Sequence, residues 1–295
     1  MKLSPYVFGT TRLGHADVPD ERARDVARAA VRAGVWFHTS RQYDDALEIL
    51  GQVYEEDRTC LPPTIYKIGG KDIADVREVI ARNLAPLKRE SMEVGQISPT
   101  GSIGQGLVSG AARADFEKLR DEGLVKSFVM EVFPWTSPVP LAALRKGHLD
   151  GLVEAFIFYL NPLQRFASNE LWDELVERKL PIIAMRTVAG GNVHRLRDVP
   201  GAAWRPYLQQ RAAQVAPIFE RSKIADWSEF CVRFAHSLPG VLATVGATSR
   251  PEGLEELLHQ ARSPQPLPRD LVEELLSLQR QWADDVDAHA EPWSM

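Results

Sequence analysis

Three charged side chains each end a short apolar run in this chain: Lys67 after Thr64-Ile65-Tyr66, Glu131 after Val125 to Met130, and Arg186 after Pro181 to Met185. Burying such a charge is costly unless it has a partner or a task. Glu131 and Arg186 either pair with one another or face a pocket with Lys67, forming a polar clamp suited to an anionic small-molecule substrate. A fourth run, Trp36-Phe37-His38, emerges into the polar stretch Thr39-Ser40-Arg41-Gln42-Tyr43. Tyr43, in that polar loop after the strand, is either a site residue or an exposed loop aromatic. His38 is either a catalytic group or a core histidine satisfied by a backbone carbonyl. Protonated, it would push the pKa of Lys67 down. Trp36, on the same strand, is expected near the pocket. Ser98, followed by Pro99, is either a site residue or a turn residue.

To bring these residues together the chain must deliver successive strand ends to one place. Tyr6 to Thr10 reads as a first strand. Asp20 stands at an N-cap position before Val26, Ala27, Ala30, Val31 and Ala33, which recur at helical spacing, and Gly34 stops that helix. Val35 to His38 follows as a strand and Asp45 to Tyr54 as a helix. Thr64 to Lys67 and Met92 to Ile97 are strands around a helix from Ile73 to Leu87. A helix from Ala111 to Glu122 leads to the strand from Val125 to Met130, and Gly151 to Phe158 is the sixth strand. After helix Glu170 to Lys179, Pro181 to Met185 is the seventh. Helix Trp227 to His236 precedes the eighth, Val241 to Val245. Strands alternating with helices in this way are expected to close into a single (β/α)8 TIM barrel across 1–295, with catalytic groups at the C-terminal rim. The stretch 195–226 breaks the alternation as an excursion over the rim, and a helix at 268–285 is expected to pack outside the barrel. A doubly wound sheet would show a GxGxxG turn after the first strand, and Gly9-Thr10-Thr11-Arg12-Leu13-Gly14 does not supply one.

Composition narrows the function classes. A net charge of -5 argues against a broad nucleic-acid footprint. No run of some 18 apolar residues exists, so no membrane span is expected. Cys60 and Cys231 form no CxxC pair, so no Cys-based metal site is expected and a reduced cytoplasmic protein is the default.

Five motifs in order carry a resemblance. Gly34-Val35-Trp36-Phe37-His38-Thr39-Ser40 with Tyr43, Glu48, Leu50 and Gly51 is similar to the G-x-x-x-F-D-T-A-x-x-Y-G-x-x-E-x-x-L-G signature of the aldo-keto reductase superfamily. Tyr66-Lys67 matches that family's T-K strand end. Asn161-Pro162-Leu163 resembles its Q-x-x-Y-N-P-L element, and Ala184 to Gly191 its A-x-x-P-L-x-G-G segment. Gly246-Ala247-Thr248-Ser249-Arg250-Pro251 resembles the final turn that holds the cofactor phosphate. The resemblance implies an NADP-dependent oxidoreductase that reduces a small carbonyl compound. In it Tyr43 would give the proton and Lys67 would lower its pKa. His38 stands where the family has aspartate, and Ser98 where it has histidine. NADPH would be held by Gly246, Thr248, Ser249 and Arg250, with Asn161 and Arg186. The family's nicotinamide-amide clamp aligns with Glu131, Val132 and Ile157, none of which repeats it. Those departures keep two alternatives open on the same barrel. One is cofactor-independent acid/base chemistry, as in an isomerase, dehydratase or lyase, by Tyr43, Lys67, His38 and Glu131. The other is a non-catalytic binding protein.

Overall fold

The short apolar runs pair side by side as parallel strands, because a helix after almost every one carries the chain back to the same end. The computed structural model describes residues 1–59, 61–188 and 206–289. In chain order it contains β1 (Tyr6–Gly9), α1 (Asp20–Arg32), β2 (Trp36–Thr39), α2 (Ala46–Glu56), β3 (Thr64–Ile68), α3 (Ile73–Leu84) and β4 (Met92–Ile97). There follow α4 (Ser102–Ser109), α5 (Arg113–Asp121), β5 (Val125–Glu131), α6 (Pro138–Arg145) and β6 (Val153–Asn161). The two-residue β7 (Gln164–Arg165), α7 (Asn169–Glu177), β8 (Ile182–Met185), α8 (Pro206–Ser222), α9 (Trp227–His236), β9 (Val241–Gly246), α10 (Pro251–Arg262) and α11 (Arg269–His289) complete the chain.

Strand order is β1-β2-β3-β4-β5-β6-β8-β9, and β9 pairs back onto β1 through Tyr6↔Thr244 and Phe8↔Gly246. The fold is therefore a closed (β/α)8 barrel, with β7 added antiparallel to the end of β6. Outward-facing residues bury against the helices, as Phe8 does edge-on to Phe37 and Phe37 to Tyr54. Side chains on the inner face alternate with these along each strand.

Local chemistry sets most boundaries. Asp72, Ser168 and Asp226 accept backbone N–H bonds at the first turns of α3, α7 and α9. Gly34, at φ +67, ends α1. Asp20 is the first residue of α1 rather than its cap, which is Pro19. Between β4 and β5 there are two helices where one was expected. The extra one, α4, is glycine-rich and of low intrinsic helix propensity. It packs so closely that a Cβ on Gly104 would fall within 1.9 Å of the Ser98 carbonyl oxygen, so tertiary packing overrides propensity there. Of the expected excursion 195–226, the part before 206 lies outside the described residues, as do Gly190 and Gly191. The remainder begins as α8. Both α8 and α11 reach the C-terminal end of β6: Arg211 Nη1 donates to the Leu163 carbonyl, and Gln279 Nε2 to that of Asn161 at 2.8 Å.

The loop after β1 presses against the turn that carries Tyr43. A Cβ added to Gly14 would lie 2.3 Å from the Asp45 backbone nitrogen, immediately before α2. Gly14→Ala is expected to destabilise the protein by roughly 1–3 kcal/mol, because backbone rather than a flexible side chain must move. Urea unfolding checks this: a midpoint equal to wild type would mean the loop yields freely.

Candidate active site

Non-adjacent strands meet through two polar contacts. His38 on β2 donates from Nε2 to Gln96 Oε1 on β4 at 2.6 Å, reaching past β3. Lys67 Nζ on β3 lies 3.8 Å from Glu131 Oε1 on β5, reaching past β4. Strands that skip a neighbour can touch in this way only across the barrel interior, so all four side chains face inward. Lys67 and Gln96 are also register partners, which places the two contacts side by side. Glu131 is the last residue of its strand and Lys67 the last but one, so the cluster sits at the C-terminal mouth.

Tyr43 comes to this cluster from the turn between β2 and α2. Its amide donates to the Ser40 carbonyl and its carbonyl accepts from Ala46 N–H, while Asp44 takes up a left-handed φ of +42. The turn folds the phenol back over the barrel, where its ring lies 6.2 Å from that of His38 and 5.6 Å from Lys67 Nζ. A second phenol, Tyr159 on β6, closes the other side. It is buried, stacked on Phe166 at 4.5 Å, and covered by the Arg186 guanidinium 4.6 Å from its ring centroid.

The electrostatics are mutually consistent. Burial alone pulls the pKa of Lys67 down, but the Glu131 carboxylate and the two phenols more than offset it, so the ammonium stays charged above its ordinary range. Burial raises Tyr43, Lys67 lowers it, and Glu131 raises it again; the phenol ends above its usual value and is a protonated acid at neutral pH. Tyr159 is likewise raised by burial against the opposing pull of Arg186 and Lys67. His38 is held down to about 4, first by burial and then by the Lys67 charge, against the bond it donates to Gln96. It is therefore neutral, with its proton on Nε2. The direction of influence is the reverse of the expected one: Lys67 keeps His38 uncharged, rather than His38 discharging Lys67.

Glu131 pairs with Lys67 and not with Arg186, so of the two readings open for these charges the first is corrected. The remaining expected residues are distributed as follows. Ser98 is half-buried, its hydroxyl 2.8 Å from that of Thr100 in the turn after β4. Trp36 opens β2, two residues or ~7 Å nearer the N-terminal end than His38, and its N–H donates to Ser4 Oγ. Asn161 is fully buried and donates from Nδ2 to the Arg186 carbonyl at 3.1 Å while Oδ1 accepts from Leu163 N–H. Val132 N–H is used by the Ile157 carbonyl. Around the final turn, the Gly246 carbonyl accepts from Tyr6 Oη–H and Thr248 Oγ1 accepts from Arg250 N–H. Ser249 is half-buried there, and Arg250 is exposed at the start of α10. Two site residues escape the motif reading, Gln96 and Tyr159. Both were visible as polar residues within otherwise apolar strands, Gln96 before Ile97 and Tyr159 before Leu160. Gln96 Nε2 is buried without a partner.

Comparison with solved structures places this barrel. It superposes on aldo-keto reductase AKR11C1 from Bacillus halodurans, in its holo form, with a TM-score of 0.72 at 17% identity, over 94% of this chain and 95% of that one. It superposes on an aldo/keto reductase from Klebsiella pneumoniae in complex with NADP and acetate with a TM-score of 0.68 at 18% identity, over 94% and 92%. No protein-family model and no curated protein matches the sequence. The chain has the aldo-keto reductase fold along nearly its whole length.

His38 gives the site a signature in acid. A histidine held below its unfolded value favours folding above about pH 6.5, and that contribution is lost as pH falls toward about 4. About 3 kcal/mol should disappear across this window, since one pKa unit is worth about 1.4 kcal/mol. His236, also lowered by burial, adds in the same direction. The difference between wild type and His38→Asn in urea midpoint, followed from pH 7 to 4, isolates His38. Parallel curves for the two proteins would show that His38 is not held neutral.

Proposed function

We propose that the protein is a carbonyl reductase of aldo-keto reductase type, with Tyr43 as proton donor, Lys67 as its electrostatic partner and Glu131 as the counter-ion of Lys67. The observation that carries this reading is the Tyr43–Lys67–Glu131 arrangement at the C-terminal mouth of the barrel. The carboxylate that the family places on the second strand is replaced in role by one on β5. His38 fills the vacated position as a neutral group, so no second positive charge competes with Lys67.

NADP(H) is the cofactor that the reading requires, and the Klebsiella pneumoniae neighbour is in complex with NADP. The final turn suits the phosphate end. Gly253, in the first turn of α10, has no room for a side chain: a Cβ there would lie 2.7 Å from Thr248 Oγ1. The first N–H groups of α10 are left without intrahelical acceptors, as at any helix start, and Arg250 stands beside them. At the other end the buried, unpartnered Gln96 Nε2 offers a donor beside Lys67. Gly246, Thr248, Ser249 and Arg250 would hold the phosphate, and the bound cofactor would supply hydride to the carbonyl carbon.

The chain's own residues manage the proton. A carbonyl oxygen that gains negative charge becomes a much stronger base than a phenolate, so protonated Tyr43 can give up its Oη proton to it. The phenolate left behind is stabilised by the Lys67 ammonium, which Glu131 keeps charged. Solvent at the mouth returns the proton to Tyr43. Carbonyl becomes alcohol, with one hydride on carbon and one proton on oxygen.

NADPH titration with the quenching of tryptophan fluorescence as readout, combined with turnover of aldehydes, tests this. Saturable binding at about -8 kcal/mol or better is expected, and Tyr43→Phe should cost about 100-fold or more in turnover while cofactor binding is retained. Absence of binding at millimolar cofactor would end the reductase reading and favour cofactor-free acid/base chemistry. Glu131→Gln should shift the alkaline limb of the rate profile to lower pH, because the charge that raises Tyr43 is gone. An unmoved limb would show that Glu131 has no influence on the proton donor.

A further inference from the structure

We infer that Arg186 is a carboxylate-binding residue and that the substrates are carbonyl compounds carrying an acidic group, that is, oxo acids. The identity of the carbonyl half rests on the reductase reading above; the carboxylate half rests on the following geometry alone.

Arg186 follows the last residue of β8 in a left-handed backbone conformation, φ +48, that a side-chain-bearing residue adopts only when held there. Two bonds hold it. The fully buried Asn161 donates to its carbonyl, and Thr187 Oγ1–H donates to the Ala184 carbonyl at 3.0 Å. The side chain itself is exposed and rests on one contact. One face of the guanidinium covers the Tyr159 ring, and that ring is fixed on its own by stacking on Phe166. With one face on the ring and the rest exposed, the guanidinium leaves its edge donors open to a ligand at the mouth, and its planar fork loses less freedom per hydrogen bond formed than a flexible ammonium.

Its charge is uncompensated. Among the described residues no carboxylate pairs with Arg186, whereas Lys67 has Glu131 and His38 is neutral. Among the described residues of this cluster, Arg186 is therefore the cation left without a carboxylate partner. Ile157 is the register partner of Glu131 and Tyr159 stands two residues further along the same inward face of β6, which places the guanidinium over Tyr159 on the side of the mouth next to the Lys67–Glu131 pair. The planar fork of donors matches a carboxylate in bidentate fashion. A substrate with its carboxylate on Arg186 would extend along Tyr159 toward Tyr43 and Lys67.

Calorimetric titration of the full chain with benzoate and with benzamide tests the inference without turnover. The two probes share shape and differ in charge. Benzoate is expected to bind wild type at least about tenfold more tightly. Arg186→Met should abolish that preference, and Arg186→Lys should restore part of it, with an unchanged thermal midpoint confirming that both variants are folded. Equal binding of the two probes by wild type would overturn the inference. So would a preference retained by Arg186→Met, or a loss of NADPH affinity instead of benzoate affinity, which would assign the guanidinium to the cofactor's phosphates. An NADPH titration of wild type is read separately: its failure counts against the reductase reading, and the benzoate preference still decides the role of Arg186.

Discussion

The ion pair between Lys67 and Glu131, spanning the inside of the barrel, sets the state of every other group at the mouth. An ammonium that is four-fifths covered has its pKa pulled down by desolvation. Glu131 reverses that balance, and the retained charge then acts outward. It draws the Tyr43 phenol back toward acidity, keeps His38 from accepting a proton, and bears on Tyr159.

That pair exists because of how a barrel is built. Alternation along a strand presents every second residue to the interior, and closure brings strands that are distant in sequence within reach of one another. A carboxylate can therefore serve the same lysine from more than one strand end. In this chain it comes from β5, and His38 is accommodated by a bond from its Nε2 to Gln96 rather than by a charge. The lysine's ionic partner and the histidine's neutral partner are thus supplied by different strands that closure brings together.

The periphery serves the same mouth. Asn161 fixes the strained turn at Arg186, and Gln279 from α11 donates to the backbone of Asn161. Arg211 from α8 donates to Leu163 just beyond, and its guanidinium lies 4.7 Å from the Trp282 ring. Helices α8 and α11 therefore support the strand end from which the Arg186 and Tyr159 side of the site is built. Phe166 supports the same corner from β7's far end, so the aromatic contacts and the polar bonds act on one rigid unit.

The sequence by itself determined the barrel. Apolar runs of strand length, set between amphipathic helices and stopped by residues such as Gly34, leave a parallel closed sheet as the natural outcome, and each strand end is legible as the point where polar residues begin. It also marked Tyr43, Lys67, Glu131 and Arg186 as charges or phenols in places where chance burial would be expensive. Which of them touch was a different matter. Position alone left Glu131 either paired with Arg186 or turned to the pocket with Lys67, and left open whether His38 would be charged; the fold brings Glu131 to Lys67 and keeps His38 neutral. Gln96 and Tyr159 belong to the site only because their strands curve inward beside Lys67, and Trp36 is removed from it by two residues of rise along β2. Local pattern is written in neighbouring residues, but contacts across a barrel depend on strand register and closure, and those are set by the packing of the whole chain at once.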